Sequence, residues 1–325
     1  MFELILSIII STILSNVDLP SVEHEFFIEQ PVVSQQPGGD IVVDGHLPLA
    51  ANKILAPQKI NQNSLGVEVT AQSGIVVDWP SNKVLWEKNS AQQRSIASLT
   101  KLMTALVFLD YNPGWQQPIT ITVADQCEGG VAFLYPGEVI STKDLFYLSL
   151  VRSINSAAAA LARSTGLSEE EFVTAMNQKA QDLDMKNTHF VEPTGLHIKN
   201  VSPAQDLAIL IKQALTNPEI VAATSLTEYS ATILNKRIKR RAQNTDWLLN
   251  SFLNQEPYKV IGGKTGYLIE AGYCLGLGVE NQGRRVISII LGSDSIESRF
   301  QDTKGVIDWV FRNYSWNMEH GTQNN

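Results

Sequence analysis

The sequence predicts a protein of the α/β (α+β) class, with strands at both ends of a folded body and helices between them. Three observations predict it. Runs rich in β-branched residues at 75–77, 84–86, 258–266, 273–279 and 285–291 are bounded by turn residues, as strands are. Between them, apolar residues recur every three to four positions, the period of a helix. A chain of 325 residues that is 44% hydrophobic and 18% charged has the composition of a globular protein with a sizeable core.

Residues 4–14 are apolar apart from Ser7, Ser11 and Thr12. This run is shorter than the roughly 20 residues of a membrane helix, though Phe2 and Val17 extend it. Glu3 stands where a signal peptide has Lys or Arg, and no small-x-small cleavage pattern follows. A buried helix fits poorly, because the next fifty residues read as unstructured. Residues 1–19 are therefore expected to be an export segment, either cleaved or kept as an N-terminal membrane anchor. Residues 20–64, rich in Pro, Gln, Asn and acids, read as a flexible acidic linker. The folded body is expected over 65–316, followed by a polar tail, 317–325.

Within the body, residues 67–88 read as a β-hairpin turning at Pro80-Ser81-Asn82. A helix follows over 95–109, with Leu99, Leu102, Met103, Leu106 and Leu109 on its apolar face. A short strand is expected at 119–123, and a second helical region at 142–163. Ser153-Ile154-Asn155 interrupts that region, as a helix break capped by Ser and Asn does. Ser168 with Glu171 is a capping box that opens a helix running to about Leu183. Ser202-Pro203 begins another helix. The basic run of Lys236, Arg237, Lys239, Arg240 and Arg241 reads as a solvated strand or loop face. Three strands then follow, the last two joined at Asn281-Gln282-Gly283, and an amphipathic helix over 295–314 closes the body.

The net charge of −8 lies in the N-terminal part: the first 52 residues hold seven acids and no Lys or Arg, and the rest has 26 acids against 25 bases. A nearly neutral body gives no support for nucleic-acid binding. Cys127, Cys274 and the five histidines form no metal-ligand spacing, so no metal or other cofactor is expected. The cysteines read as free buried thiols, with a disulfide left open.

Three short motifs carry chemistry when taken together and in order. Ser98 and Lys101 sit three apart on a helix, so hydroxyl and amine are neighbours. If the lysine is neutral it can take the serine proton and make a nucleophile. Ser153 can relay a proton to a leaving amine, and Asn155 can bind a substrate amide. Lys264 places positive charge on a strand, Thr265 offers a hydroxyl to a carboxylate, and Gly266 lets a substrate lie close to the strand. Each pair alone is a weak signal. The plain alternatives are a core helix with a surface lysine and an ordinary capped helix break.

Ser-x-x-Lys, Ser-x-Asn and Lys-Thr-Gly in this order resemble the penicillin-recognising serine enzymes. The chain looks most like the low-molecular-mass penicillin-binding proteins, the serine-type D-Ala-D-Ala carboxypeptidases. The likeness runs from about Val67 to Trp316 and includes the segments around Ile96 to Thr104, Phe190 to Leu196, and Ala271-Gly272-Tyr273. It implies a β-lactamase/transpeptidase-like fold, an antiparallel sheet flanked by helices with an inserted all-helical subdomain over roughly 110–230. It implies an oxyanion hole from the N–H groups of Ser98 and Tyr267. It also implies that Arg299 receives the substrate's terminal carboxylate, where a helix-surface arginine is the alternative. The implied substrates are peptidoglycan stem peptides ending in D-Ala-D-Ala, with β-lactams as inhibitors. The implied location is the cell envelope, with any membrane attachment through the N-terminal segment. Ser156 after Asn155 and Leu268 after Tyr267 depart from the usual pattern and bear on substrate preference. A D,D-endopeptidase cutting cross-links and a penicillin-binding sensor without turnover are the rival readings. A class A β-lactamase fits less well, because no Glu-x-x-Leu-Asn pattern follows the Ser-x-Asn motif.

Overall fold

The structure, a computed structural model, describes residues 55–127 and 129–316; the N-terminal segment, most of the linker and the polar tail lie outside them. In chain order the body runs β1 (Ser73–Asp78), β2 (Val84–Lys88), α1 (Thr100–Asp110), α2 (Thr142–Val151), α3 (Asn155–Ser164), α4 (Glu169–Asp182), α5 (Ala204–Ala214), α6 (Pro218–Thr224), β3 (Glu228–Ile233), β4 (Ile238–Gln243), β5 (Tyr258–Leu268), β6 (Gly272–Asn281), β7 (Arg284–Ser293) and α7 (Ile296–Asn313).

Five strands form the central sheet in the order β5-β6-β7-β1-β2, and every neighbouring pair is antiparallel. The apolar runs of the sequence become strands buried on both faces. On β7, Val286 and Ile290 join Leu275, Leu277 and Val279 of β6 under α7, against Phe300, Val306 and Val310. The alternate residues Ile287, Ile289 and Leu291 face the other way, toward α1 and α5, and join the larger core. Gln282 and Gly283 have φ of 51° and 78°, which is the turn a two-residue β6–β7 hairpin requires.

Helix α1 is buried from Thr100 through Phe108 on every side. It is a central helix rather than an amphipathic surface one. The subdomain inserted between β2 and β5 is built around α2, α3 and α4. It also carries short strand pairs, Pro118–Thr120 with Val139–Ser141 and β3 with β4. The expected capping box is formed: the Ser168 side chain accepts from Glu171 N, and Glu171 accepts from Ser168 N.

The body begins earlier than residue 65. Gln58–Lys59 pairs with Tyr314–Ser315, and Trp309 Nε1 donates to Ser64 Oγ at 2.7 Å. The end of the expected linker is thus tied to the last helix. Among the described residues no helix is long and apolar enough to cross a membrane. Both cysteines are free; Cys274 is buried and Cys127 half-buried.

Candidate active site

A cleft of about 890 Å³ opens between the β5 edge of the sheet and the inserted subdomain, and Ser98, Ser153, Asn155, Thr265, Tyr267 and Arg299 all line it. Residues that lie up to two hundred positions apart in the chain are therefore brought to one place. Among the described residues β5 pairs only with β6, and its outer edge forms the cleft wall.

Ser98 sits in a 3₁₀ turn, Ala97–Leu99, that leads directly into α1. The turn is strained at Ala97, with φ of 47°. Two glycines hold it in place. Gly195 has φ of +82°, and a Cβ there would meet Ala97 O at 2.2 Å. Gly266 of β5 passes so close that a Cβ would lie 3.1 Å from Ser98 N, so the strand is pressed against the nucleophile's own N–H. Tyr267, next on the strand, is half-exposed at the rim and stacks on Tyr273 at 4.4 Å.

Lys101 projects from the first turn of α1 and is fully buried. Its Nζ lies 3.0 Å from Ser98 Oγ, 2.7 Å from Asn155 Oδ1 and 2.5 Å from Thr194 O. As the ammonium, Lys101 donates one N–H to each of these three oxygens; as the free amine it keeps the bonds to Asn155 and Thr194 and turns its lone pair to the Ser98 hydroxyl. Burial lowers the ammonium's pKa from 10.5 to about 8, against the opposing pull of the Glu192 carboxylate.

Asn155 begins α3, and its Nδ2 donates to Gly129 O at 3.2 Å. Both ends of its amide are therefore engaged, one on Lys101 and one on the 129–130 loop. Ser153 occupies the break between α2 and α3 in left-handed backbone, with φ of 62°. That conformation is uncommon for serine and marks a constrained position.

Lys264 differs from the expected charge at the edge of the site. It is 1% exposed, and its Nζ donates to Thr265 O at 2.9 Å. Burial, then the charges of Lys101 and Arg299, push it well below its ordinary value. Arg299 is likewise no surface residue at 4% exposure. Its Nη1 donates to Gly266 O and Cys274 O at 3.2 and 3.3 Å, and its guanidinium lies 4.6 Å from the Phe300 ring.

Two parts of the site were not read from the sequence. The Glu192 carboxylate gathers the N–H groups of Thr194 and Gly195 at 2.6 Å, the Thr194 hydroxyl at 2.6 Å and Asn200 Nδ2 at 2.8 Å. It thereby fixes the carbonyl that holds Lys101. The segment Asn244-Thr245-Asp246 lies along β5, with Thr245 Oγ1 2.5 Å from Thr265 Oγ1. The signals were a buried-looking loop containing one acid and a polar triplet before a strand.

Residues 57–295 match the family described as D-alanyl-D-alanine carboxypeptidase, peptidase family S11. A D-alanyl-D-alanine endopeptidase of Pseudomonas aeruginosa is 33% identical over 245 residues, 75% of this chain and 78% of that protein. The D-alanyl-D-alanine carboxypeptidase DacF of Bacillus subtilis is 32% identical over 251 residues, 75% of this chain and 63% of that one. Among solved structures, the Streptomyces K15 DD-transpeptidase superposes with a TM-score of 0.70 at 27% identity, over 77% of this chain and all of that one. Penicillin-binding protein D2 of Listeria monocytogenes, in an ampicillin-bound form, gives 0.66 at 29% identity, over 76% of this chain and all of that one.

Proposed function

The chain belongs to the D-alanyl-D-alanine carboxypeptidase family, and from that premise we propose that it is a serine D,D-carboxypeptidase of the cell wall, removing the terminal D-Ala from peptidoglycan stem peptides. The observation that carries the reading is the buried Lys101 amine, 3.0 Å from Ser98 Oγ with two other oxygens taking its N–H groups.

The residues divide the work as follows. Lys101, as the free amine, takes the Ser98 hydroxyl proton while Oγ attacks the carbonyl carbon of the penultimate D-Ala. The N–H groups of Ser98 and Tyr267 hold the oxyanion that forms. As the C–N bond breaks, Ser153 passes its hydroxyl proton to the departing D-Ala amine and is reprotonated by Lys101, which returns to the free amine. The acyl group remains on Oγ as an ester. Water then adds to that ester while the free Lys101 amine takes its proton, and that proton passes to Ser98 Oγ as the acyl C–Oγ bond breaks, releasing the shortened peptide and regenerating Ser98. Asn155 keeps Lys101 in position and faces the substrate's amide from the cleft wall. Thr265 and Arg299 receive the terminal carboxylate, and the buried Lys264 amine braces β5 through its bond to Thr265 O. β-Lactams acylate the same Oγ. Export or anchoring through residues 1–19 places this activity in the cell envelope.

The test is D-alanine release from a diacyl-Lys-D-Ala-D-Ala peptide by the full chain, with Ser98→Ala alongside. The expected result is release by the parent and none by the variant. A folded parent that neither releases D-alanine nor is labelled by penicillin would overturn the reading. One observation favours a D,D-endopeptidase instead: the cleft, at about 890 Å³, has a rim of exposed Trp247, Tyr267 and Ile269 with room for a leaving group larger than D-Ala. Purified dimeric muropeptides separate the two. Cleavage to monomers faster than D-alanine release would favour the endopeptidase.

A further inference from the structure

We propose that Asp246 belongs to the subsite that receives the substrate's terminal carboxylate, and that it enters the complex as a carboxylic acid, its Oδ2–H donating to that carboxylate beside Arg299. The inference rests on the reading of the chain as a D,D-peptidase and adds to it a residue and a proton.

It starts from two orphaned atoms. Among the described residues, Asp246 Oδ2 and Arg299 Nε are buried without a hydrogen-bond partner, and both residues line the catalytic cleft. Native proteins leave few buried polar atoms unpaired, and each such atom calls for an explanation. The rest of both side chains is firmly held. Asp246 Oδ1 accepts from Leu248 N at 2.9 Å, and Asp246 N donates to Asn244 Oδ1 at 2.9 Å. Trp247 stacks on Phe300 at 5.0 Å, and Phe300 also lies 4.6 Å from the Arg299 guanidinium. Asp246 and Arg299 nevertheless form no ion pair, so neither atom is satisfied by the other.

A carboxylate in the cleft would answer both atoms only if Asp246 carried a proton. An ionised Asp246 would repel it, whereas a carboxyl hydroxyl donates to it as Arg299 Nε–H does. The charged groups that bear on Asp246 are both cationic, Arg299 from α7 and Lys264 from β5, with Lys101 behind Lys264. Despite them, burial raises its pKa from 3.8 to about 6. A bound anion raises it further. The free site is therefore about half ionised at pH 6 and almost wholly ionised at pH 7.5, so binding a carboxylate takes up a fraction of a proton that approaches one as pH rises.

The experiment is calorimetric binding of diacyl-Lys-D-Ala-D-Ala to the Ser98→Ala full chain from pH 5.5 to 7.5, in two buffers of different ionisation enthalpy. The expected result is uptake approaching one proton and a Kd that rises by up to about tenfold per pH unit above pH 6. In Asp246→Asn the amide Nδ2 can donate at every pH, so uptake and slope both disappear. Lys264→Met removes a cation that holds the Asp246 pKa down, so it keeps the uptake and slope but moves their onset to higher pH, which separates Asp246 from its cationic neighbour. Absence of uptake in the parent, a slope that survives Asp246→Asn, or a slope lost in Lys264→Met would each overturn the proposal. A peptide that fails to bind at any pH removes the functional reading itself. Binding without proton uptake removes only this inference.

Discussion

Acylation of Ser98 should follow the protonation of Lys101. With its pKa near 8, the fraction of Lys101 present as free amine is about 1% at pH 6, about 10% at pH 7 and about half at pH 8. A lysine left at 10.5 would be free to only about 0.03% at pH 7, so burial enlarges the competent population roughly 300-fold. The second-order rate constant for acylation by a fluorescent penicillin, followed by stopped flow, should therefore climb about tenfold per pH unit from pH 5.5 to 7.5 and level off above pH 8. Lys101→Arg replaces the amine with a guanidinium that has no free form at these pH values. It should lower the rate constant by about 10²–10⁴-fold throughout. A profile flat below pH 8, an inflection near 10, or an arginine variant within tenfold of the parent would refute Lys101 as the base.

Three further outcomes follow from the same geometry. Glu192→Gln removes the charge that holds the Lys101 pKa up, so the acylation inflection should move below 8, with about 2 kcal/mol lost in urea unfolding as the 192–200 loop loosens. An unmoved inflection would contradict the electrostatic role. Gly195→Ala forces a Cβ to 2.2 Å from Ala97 O at φ of +82°. It should displace the Ser98 turn and cut penicillin acylation by about 10²-fold, with normal labelling refuting the packing argument. Glu138 is buried, with Arg240 Nη1 and Nη2 each 2.5 Å and Lys236 Nζ 2.8 Å from its oxygens. Glu138→Gln removes the charge from these hydrogen bonds while Lys236 and Arg240 remain partly open to water, and should destabilise the protein by about 1–3 kcal/mol in equilibrium unfolding.

Features set by local chemistry were legible in the sequence. Apolar spacing located α1, the Ser168–Glu171 reciprocity located the start of α4, and Gln282-Gly283 located the β6–β7 turn. The three motifs located the cleft because each sits at the end or edge of an element that its neighbours already predict. Features set by distant partners were not legible. The basic run is the solvated strand face it reads as, exposed at Lys236, Arg237, Lys239 and Arg241, but the sequence does not show that Lys236 and Arg240 reach Glu138 about a hundred positions earlier or that β4 pairs with β3. Asn217 and Pro218 did carry a local signal for α6, a capping side chain and an N1 proline, although that helix was not expected. Lys264 reads as an edge charge because a strand sequence does not say which side a core covers; only the packing of the sheet against the helices buries it.

The two buried lysines also set how the fold itself responds to alkali. Among the described residues neither makes an ion pair, and Lys101 falls from 10.5 to about 8 on folding. The unfolded chain therefore binds more protons than the native one between those values, so resistance to unfolding rises with pH across that window. Below it the native state carries the whole penalty, roughly 3 kcal/mol for Lys101 alone. At neutral pH the protein is thus held short of the stability its core could give. Lys264→Met, which fills the same volume without a charge, should melt higher than the parent while turning over less substrate. The enzyme's reactivity and its fragility have one source: amines kept where water would otherwise hold them charged.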